Sequence, residues 1–132
     1  MKIAKAIIPD LIIRDGSYSV FHYTPEWGYQ EHELGSKAKL LHFWKDYASS
    51  TAYALYHFDS SVRPKKKRAT LPKLYMIDDM YAFFEYPTAL DGPGGYIKMG
   101  NQVDIVSISD MESVIDGFYV LFAFHTTDKP AE

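Results

Sequence analysis

Histidine is the residue type in this chain best suited to act as a general base or a metal ligand near neutral pH. Glu31, His32 and Glu33 place three metal-ligating residue types in succession, and His22 lies ten positions earlier. This spacing matches no common metal cage, and neighbouring side chains of an extended chain point apart. The sequence therefore predicts no metal and no cofactor. The remaining histidines, which lie among apolar residues and are expected to be structural, are His42, His57 and His125.

Other catalytic arrangements are not encoded in a recognisable form. Serine, histidine and aspartate all occur, but the chain lacks the Gly-x-Ser-x-Gly segment that presents a hydrolase nucleophile. The segment from Gly92 to Gly95 contains a proline and precedes no Lys-Ser or Lys-Thr pair, so it predicts a turn and not a phosphate-binding loop. The sequence leaves enzyme activity undecided and favours a protein without it.

The segment Phe21-His22-Tyr23-Thr24 resembles the first motif of the ADP-ribosyltransferase-like toxins. In that family the histidine helps to hold the ribose of the nicotinamide nucleotide. The resemblance covers three residues, His22 to Thr24, and neither Glu85 nor Glu112 lies in a setting that matches the family's catalytic glutamate. It implies an alternative function, a small enzyme that acts on a nucleotide through His22 and its neighbours.

Aromatic residues are unusually frequent and make up 16% of the chain. They suit strands and cores, and they also anchor protein interfaces because they bury large areas at little entropic cost. Residues 24–35 have no apolar periodicity and are punctuated by proline and glycine, which predicts a long loop. Acidic residues around an aromatic anchor suit a basic partner surface. The candidate partner-binding residues of this loop are Trp27 and Tyr29 as anchors, with Glu26, Glu31 and Glu33 around them.

A basic run is the sharpest charged feature of the sequence. Its form, Pro-Lys-Lys-Lys-Arg, is similar to a nuclear import signal, and clustered cations also contact phosphates or an acidic protein surface. A cluster of this kind must be solvated, which predicts an exposed loop. The candidate binding residues of the run are Lys65, Lys66, Lys67 and Arg68.

Composition limits the remaining possibilities. The 132 residues are enough for one domain, and the net charge of −3 disfavours a protein that binds nucleic acid or anionic lipid over its whole surface. The absence of cysteine excludes disulfides and thiolate chemistry. Residues 1–10 lack the apolar core of a signal peptide, and no run approaches the roughly 20 apolar residues that span a bilayer. We therefore expect one soluble, cytoplasmic domain over residues 1–132.

Turn signals divide most of the chain into extended segments. Asp15-Gly16 lies between two apolar runs and predicts a β-hairpin. Gly100-Asn101 predicts a second hairpin, between residues 96–99 and 102–108. Asp78-Asp79 predicts a turn between two strands within residues 74–86. Residues 51–58 favour a strand over a helix, and residues 118–124, apolar on both faces, indicate a central strand.

One segment has a helical pattern. Apolar residues at three- and four-residue spacing, preceded by Ser36 as a suitable N-cap, predict a helix over residues 37–48. A shorter helix is predicted from Asp110 to Ile115. About six to eight strands with one principal helix predict an α+β fold, in which a mainly antiparallel sheet packs against the helix at 37–48. The alternative is a β-barrel or sandwich with a covering helix.

These features together favour a binding module over an enzyme. We expect a small cytoplasmic protein of the inhibitor, immunity or phage-accessory type that covers the surface of another protein. The nucleotide-acting enzyme is one alternative. A phage or virion structural subunit, in which aromatic-rich sheets form contacts between copies, is another, and a homo-oligomer is compatible with each.

Overall fold

Twelve β-strands account for most of the residues that the computed structural model describes, which are 2–46, 48–59, 67–84, 96–110 and 117–126. These residues contain no helix. The strands are β1 (Ile3–Lys5), β2 (Leu11–Arg14), β3 (Ser17–Thr24), β4 (Gly28–Gly35), β5 (Ala38–Asp46), β6 (Thr51–Phe58), β7 (Lys67–Arg68), β8 (Leu74–Ile77), β9 (Met80–Phe84), β10 (Tyr96–Gly100), β11 (Gln102–Asp110) and β12 (Phe118–His125).

The strands form three antiparallel sheets of four strands each. Sheet I has the order β1-β8-β9-β10, sheet II the order β4-β3-β2-β7, and sheet III the order β11-β12-β6-β5. Aromatic contacts join the sheets: Phe43 of sheet III stacks on Phe83 of sheet I, with ring centroids 4.8 Å apart. Tyr18 of sheet II meets Phe58 of sheet III edge to face at 5.2 Å. Most buried apolar residues of the three sheets form one core, while Ile77, Ala82 and Phe84 of sheet I form a second, smaller cluster.

The predicted helix at residues 37–48 is wrong, because most of this segment, Ala38–Asp46, is strand β5. It pairs along its whole length with β6, and a β-bulge at Leu41 interrupts the register. The extra residue lets Leu40 and Phe43, three positions apart, both face the core opposite Tyr56 and Ala54. A bulge thus imitates the three-residue apolar spacing of a helix. The α+β class is therefore replaced by an all-β arrangement among the described residues, and the covering helix of the alternative is likewise absent from them.

The corner between β4 and β5 explains why Ser36 caps no helix. The Asp59 carboxylate accepts hydrogen bonds from the amides of Ser36 and Lys37, at 2.9 and 3.0 Å. Gly35 has a φ of +138°, and a Cβ at this position would lie 1.3 Å from the Asp59 carbonyl oxygen. The chain can therefore pass from sheet II to sheet III here only with glycine.

Two of the predicted turns are confirmed. Asp15-Gly16 joins β2 to β3, and Asp78-Asp79 joins β8 to β9. All four turn residues have positive φ, between 51° and 77°, as the tight turns that match strand twist require. The strand predicted at 51–58 is β6, and β12 is central between β11 and β6, as its two apolar faces indicated.

The hairpin predicted around Gly100-Asn101 is wrong. Both flanking segments are strands, but β10 pairs with β9 in sheet I and β11 pairs with β12 in sheet III. Gly100 has a φ of +156°, and a Cβ there would lie 2.5 Å from the His125 carbonyl oxygen. That carbonyl accepts the Asn101 amide at 3.1 Å. The Gly-Asn pair therefore carries the chain from one sheet to the next.

The loop predicted at residues 24–35 is also wrong over most of its length. Only Pro25, Glu26 and Trp27 form a turn, and Gly28–Gly35 is strand β4, paired with β3. The segment lacks an apolar alternation because polar side chains occupy both faces of the edge strand β4: Gln30 and His32 lie on its half-buried face, and Glu31 and Glu33 on its exposed face. The structure therefore extends the β2–β3 hairpin into a three-stranded meander.

Several predictions fall outside or at the margin of the described residues. In the basic run, Lys67 and Arg68 form β7 and pair with Ile13 and Ile12 of β2, so this end of the run is a strand and not a loop. Lys65 and Lys66 lie outside the described residues, as do the helix predicted after Asp110 and the Gly92–Gly95 turn. The described part of the chain includes no helix of sufficient length and apolar character to span a bilayer.

Three core tyrosines have raised pKa values because their hydroxyls are taken out of water. Tyr56 is fully buried, and its hydroxyl donates to the Pro72 carbonyl at 2.9 Å. Burial raises its pKa most strongly, and the nearby Tyr18 adds to the effect. Burial also raises the pKa of Tyr18 and of Tyr81. These groups stabilise the core and lie apart from the exposed aromatic residues described next.

Candidate functional site

The end of the β3–β4 hairpin carries the most exposed aromatic residues of the described structure. Tyr29 is 77% exposed, Trp27 73% and Tyr23 56%. Tyr23 and Tyr29 are direct cross-strand partners, and their rings meet edge to face with centroids 5.1 Å apart. We call these three residues the aromatic tip. The three aromatic side chains are therefore largely exposed to solvent and lie outside the hydrophobic core.

The local sequence explains why the chain turns at this place. Pro25 has a fixed φ that suits the first position of a turn, and the Thr24 hydroxyl accepts the Trp27 amide at 3.3 Å. Gly28 closes the turn with a φ of +73°. The turn leaves the Trp27 side chain pointing away from the body of the protein, and no ring contact involves it among the described residues.

The second tryptophan is placed differently. Trp44 lies on the outer face of sheet III between His42 and Tyr53, with ring centroids 5.0 and 5.1 Å away. The two interplanar angles, 31° and 21°, show that both neighbouring rings lie roughly parallel to the indole. Trp44 therefore belongs to a cross-strand stack that stabilises the sheet, whereas Trp27 has its faces open to solvent.

The three glutamates that the sequence placed around Trp27 have different surroundings. Glu26 is exposed in the turn directly beside Trp27. Glu31 lies within 2.6 Å of the Arg14 guanidinium, which compensates its charge. Glu33 is exposed but pairs with Ser19, toward the base of the hairpin. Of these three glutamates, Glu26 therefore contributes most to the acidic character at the aromatic tip.

A cavity of about 360 Å³ opens beside the aromatic tip. The β2 strand pairs with β3 only from Ser17 to Val20, so the part of β3 that carries Tyr23 extends past the end of β2. The cavity lies at this place. Its described lining includes Tyr23 and Tyr29 together with Asp10, Phe21, His22 and Asp104. Asp10 directly precedes β2, and Asp104 comes from β11 in another sheet.

His22 does not assemble a recognisable catalytic or metal site. Its ring lies 6.1 Å from the His32 ring, and both line a smaller groove of about 210 Å³ along β11. Among the described residues no three histidine, aspartate or glutamate side chains are grouped so that they could hold a metal ion. The two glutamates considered for the nucleotide-acting alternative, Glu85 and Glu112, lie outside the described residues.

The other histidines have structural surroundings. His125 is 3.1 Å from the Asp104 carboxylate, and His57 packs against Tyr119 with ring centroids 4.9 Å apart. His42 belongs to the stack on Trp44. None of them lines the cavity beside the aromatic tip in its described part.

Compared with models of protein families, with curated proteins and with solved structures, the chain matches none of them. The site must therefore be interpreted from its own geometry. The sequence indicated Trp27, Tyr29 and Glu26, but it missed Tyr23, Asp10 and Asp104. Tyr23 could have been found by taking Pro25 to Trp27 as a hairpin turn, which puts Tyr23 opposite Tyr29. The two aspartates are brought to the cavity from distant parts of the chain.

Proposed function

We propose that this chain is a small cytoplasmic protein-binding module, of the inhibitor, immunity or phage-accessory type, which docks its aromatic tip on another protein. The observation that carries the proposal is the exposure of Trp27, which lies in the turn, and of Tyr29, whose ring meets Tyr23 edge to face. These two residues and Tyr23 are large aromatic residues that lie outside the hydrophobic core and contribute little to it.

Aromatic residues of this kind are the ones that dominate binding energies at protein interfaces. A buried tryptophan or tyrosine anchor typically contributes at least about 2 kcal/mol to an interface, while its neighbours mainly exclude water. The tip is carried on a regular two-stranded hairpin, which limits the ordering cost on association. A projecting hairpin also suits a concave surface on the partner.

Charge favours a basic partner. Glu26 lies beside Trp27, and the whole chain has a net charge of −3. Complementary charge accelerates association, and this acceleration becomes smaller as salt screens the charges. We therefore propose that the partner presents a basic rim around the pocket that receives Trp27.

The test begins by identifying the partner at the tip itself. A photo-crosslinking phenylalanine derivative replaces Glu26 in cells that naturally produce the protein, and the crosslinked protein is identified and purified. Its dissociation constant is then measured with wild type, with Trp27→Ala and with Leu41→Ala. Leu41 is a suitable control because it is 44% exposed on β5, in a different sheet.

The expected result is that Trp27→Ala weakens binding by at least about 30-fold, which corresponds to about 2 kcal/mol. Leu41→Ala should bind like wild type. Equal binding by Trp27→Ala and wild type would refute the tip as the anchor. Crosslinking of the chain to another copy of itself would instead favour the structural-subunit alternative.

A further inference from the structure

We propose that the cavity beside the aromatic tip binds the guanidinium group of an arginine side chain on the partner. The inference rests on the proposed function and specifies the chemistry that this site recognises. It is supported by the composition of the cavity, by its position and by an arginine that the hairpin already holds.

The cavity combines negative charge with aromatic walls. Two of its described lining residues are aspartates, Asp10 and Asp104, and none is a lysine or an arginine. Four more are ring-bearing residues, Phe21, His22, Tyr23 and Tyr29. A volume of about 360 Å³ is at the lower end of the roughly 300–1,000 Å³ that small ligands occupy. It therefore suits a single long side chain.

Physical chemistry makes a cation the complementary occupant. Aromatic rings carry negative charge on their faces and attract a cation placed above them, most often arginine. Carboxylates pair with guanidinium groups through charge-assisted hydrogen bonds, which are stronger than neutral ones. A planar guanidinium stacks on a ring and bonds a carboxylate in its own plane, and a lysine ammonium lacks this geometry.

The β3–β4 hairpin already binds one arginine of this chain through a ring and a carboxylate, close to the aromatic tip. The Arg14 guanidinium lies over the Phe21 ring, 5.5 Å from its centroid, and 2.6 Å from the Glu31 carboxylate. Phe21 and Glu31 are cross-strand partners, and the next pair toward the tip on the same face is Tyr23 with Tyr29. The cavity beside that pair repeats the combination of ring and carboxylate, with aspartates in place of Glu31.

Asp104 is placed to take part although it also contacts His125. One of its carboxylate oxygens lies 3.1 Å from the imidazole, while its side chain is 71% exposed. A carboxylate has several acceptor positions, so it can accept a second donor. Asp10 accepts the Phe21 amide through its carbonyl oxygen at 3.0 Å. A change of the Asp10 carboxylate to an amide therefore leaves this bond in place.

The test uses N-acetyl-arginine amide as the probe and N-acetyl-citrulline amide as its uncharged counterpart, which has nearly the same shape. Each is titrated into the isotope-labelled full chain, and binding is followed by the amide chemical shifts. The variants are Asp10→Asn, Asp104→Asn and Tyr29→Ala. Asp15→Asn is the matched control, since Asp15 lies in the turn at the other end of β3 and has a positive φ that asparagine tolerates.

The arginine probe should produce saturable shifts at residues that line the cavity, and the citrulline probe should bind at least about five-fold more weakly. Each aspartate variant and Tyr29→Ala should weaken arginine binding by at least about three-fold, and Asp15→Asn should not change it. Equal binding of both probes, or binding that survives all three cavity variants, would overturn the inference. So would the absence of saturable shifts.

These outcomes can be distinguished from failure of the proposed function. The arginine titration needs no partner, and its variants are at Asp10, Asp104 and Tyr29, which line the cavity, whereas the test of the proposed function uses Trp27. If arginine binds the cavity while Trp27→Ala does not weaken the partner, the inference holds and the tip is not the anchor. If Trp27→Ala weakens binding of the partner but arginine does not bind the cavity, the proposed function is retained and the inference about the cavity is wrong.

Discussion

The two tryptophans give the sharpest test of the contrast between a stabilising aromatic residue and an exposed anchor. Each is replaced by alanine in turn, and the stability of the two variants is compared. Trp44 lies in a three-ring stack and is 38% exposed, whereas Trp27 is 73% exposed. We expect Trp44→Ala to be clearly destabilised and Trp27→Ala to lose much less stability.

The expected loss of stability follows from the side-chain area that each tryptophan buries. If a tryptophan side chain can bury about 250 Å², Trp27 hides about 70 Å² and Trp44 about 155 Å². At about 25 cal/mol per Å² these areas correspond to about 1.7 and about 4 kcal/mol. Residual burial in the unfolded chain lowers them to roughly 1.2 and 3 kcal/mol. Ring stacking adds about 0.5–1.5 kcal/mol for Trp44, so the variants should differ by at least about 2 kcal/mol.

Thermal unfolding followed by circular dichroism measures the difference. For a chain of 132 residues, 1 kcal/mol corresponds to roughly 3–4 °C, so Trp44→Ala should melt at least about 7 °C below Trp27→Ala. Fluorescence gives an independent measurement because each variant retains one tryptophan. The emission of Trp27 alone should resemble that of indole in water and be readily quenched by iodide, and Trp44 alone should be less accessible.

The reasoning is refuted if Trp27→Ala loses as much stability as Trp44→Ala. In that case the tip folds back on the body of the protein in solution, and its tryptophan is a structural residue. Blue-shifted, poorly quenched emission from Trp27 would lead to the same conclusion. Trp44→Phe, which keeps a ring between His42 and Tyr53, should recover part of the lost stability and serves as the matched variant.

Two further predictions test the core and the sheet corner. Burial raises the pKa of Tyr56, so above about pH 10 the folded protein keeps a proton that the unfolded chain loses. The free energy of unfolding should therefore fall by about 1.4 kcal/mol per pH unit in this range because of this tyrosine. In urea unfolding at increasing pH, the free energy of unfolding of Tyr56→Phe should decline less steeply than that of wild type by this amount. Equal declines would contradict the raised pKa of Tyr56. Gly35→Ala should cost at least about 2 kcal/mol in urea unfolding because its Cβ meets the Asp59 main chain. Gly28→Ala, which has open space around the added Cβ, should cost about 1–2 kcal/mol from its positive φ alone, and a Gly35 variant no less stable than this control would contradict the corner geometry.

The outer face of sheet III shows why exposed aromatic residues do not all mark a binding site. Its aromatic residues pair with one another across strands, as in the stack on Trp44 and in the contact of His57 with Tyr119. Cross-strand pairs of this kind stabilise a sheet even in water. Exposure alone would have selected both tryptophans, and only the ring contacts separate them.

The sequence by itself determined the features that depend on a few neighbouring residues. Asp15-Gly16 and Asp78-Asp79 turn the chain because these residue types tolerate the positive φ that a tight hairpin needs. Thr51–Phe58 was predicted as a strand from its tyrosine and phenylalanine content. In the structure its side chains alternate between buried and half-buried from Ala52 onward. Trp27 and Tyr29 of the tip were also visible as aromatic residues in a segment without an apolar period.

Tertiary structure decided everything that depends on pairing between distant segments. The spacing in β5 is helical in sequence, and only the register with β6, with its bulge at Leu41, makes it a strand. The Gly100-Asn101 pair has the composition of a hairpin turn, but the His125 carbonyl against Gly100 sends the two flanking strands into different sheets.

The same reason applies to the candidate site. Tyr23 and Tyr29 meet because the β3–β4 register opposes them, and Asp10 and Asp104 reach the same cavity from segments far apart in the chain. Local residue preferences act over a few positions and fix turns, whereas strand partners are chosen by the burial of whole sheet faces. Trp27 and Tyr29 could therefore be found in the sequence, whereas the pairing of Tyr29 with Tyr23 and the charged cavity beside them required the fold.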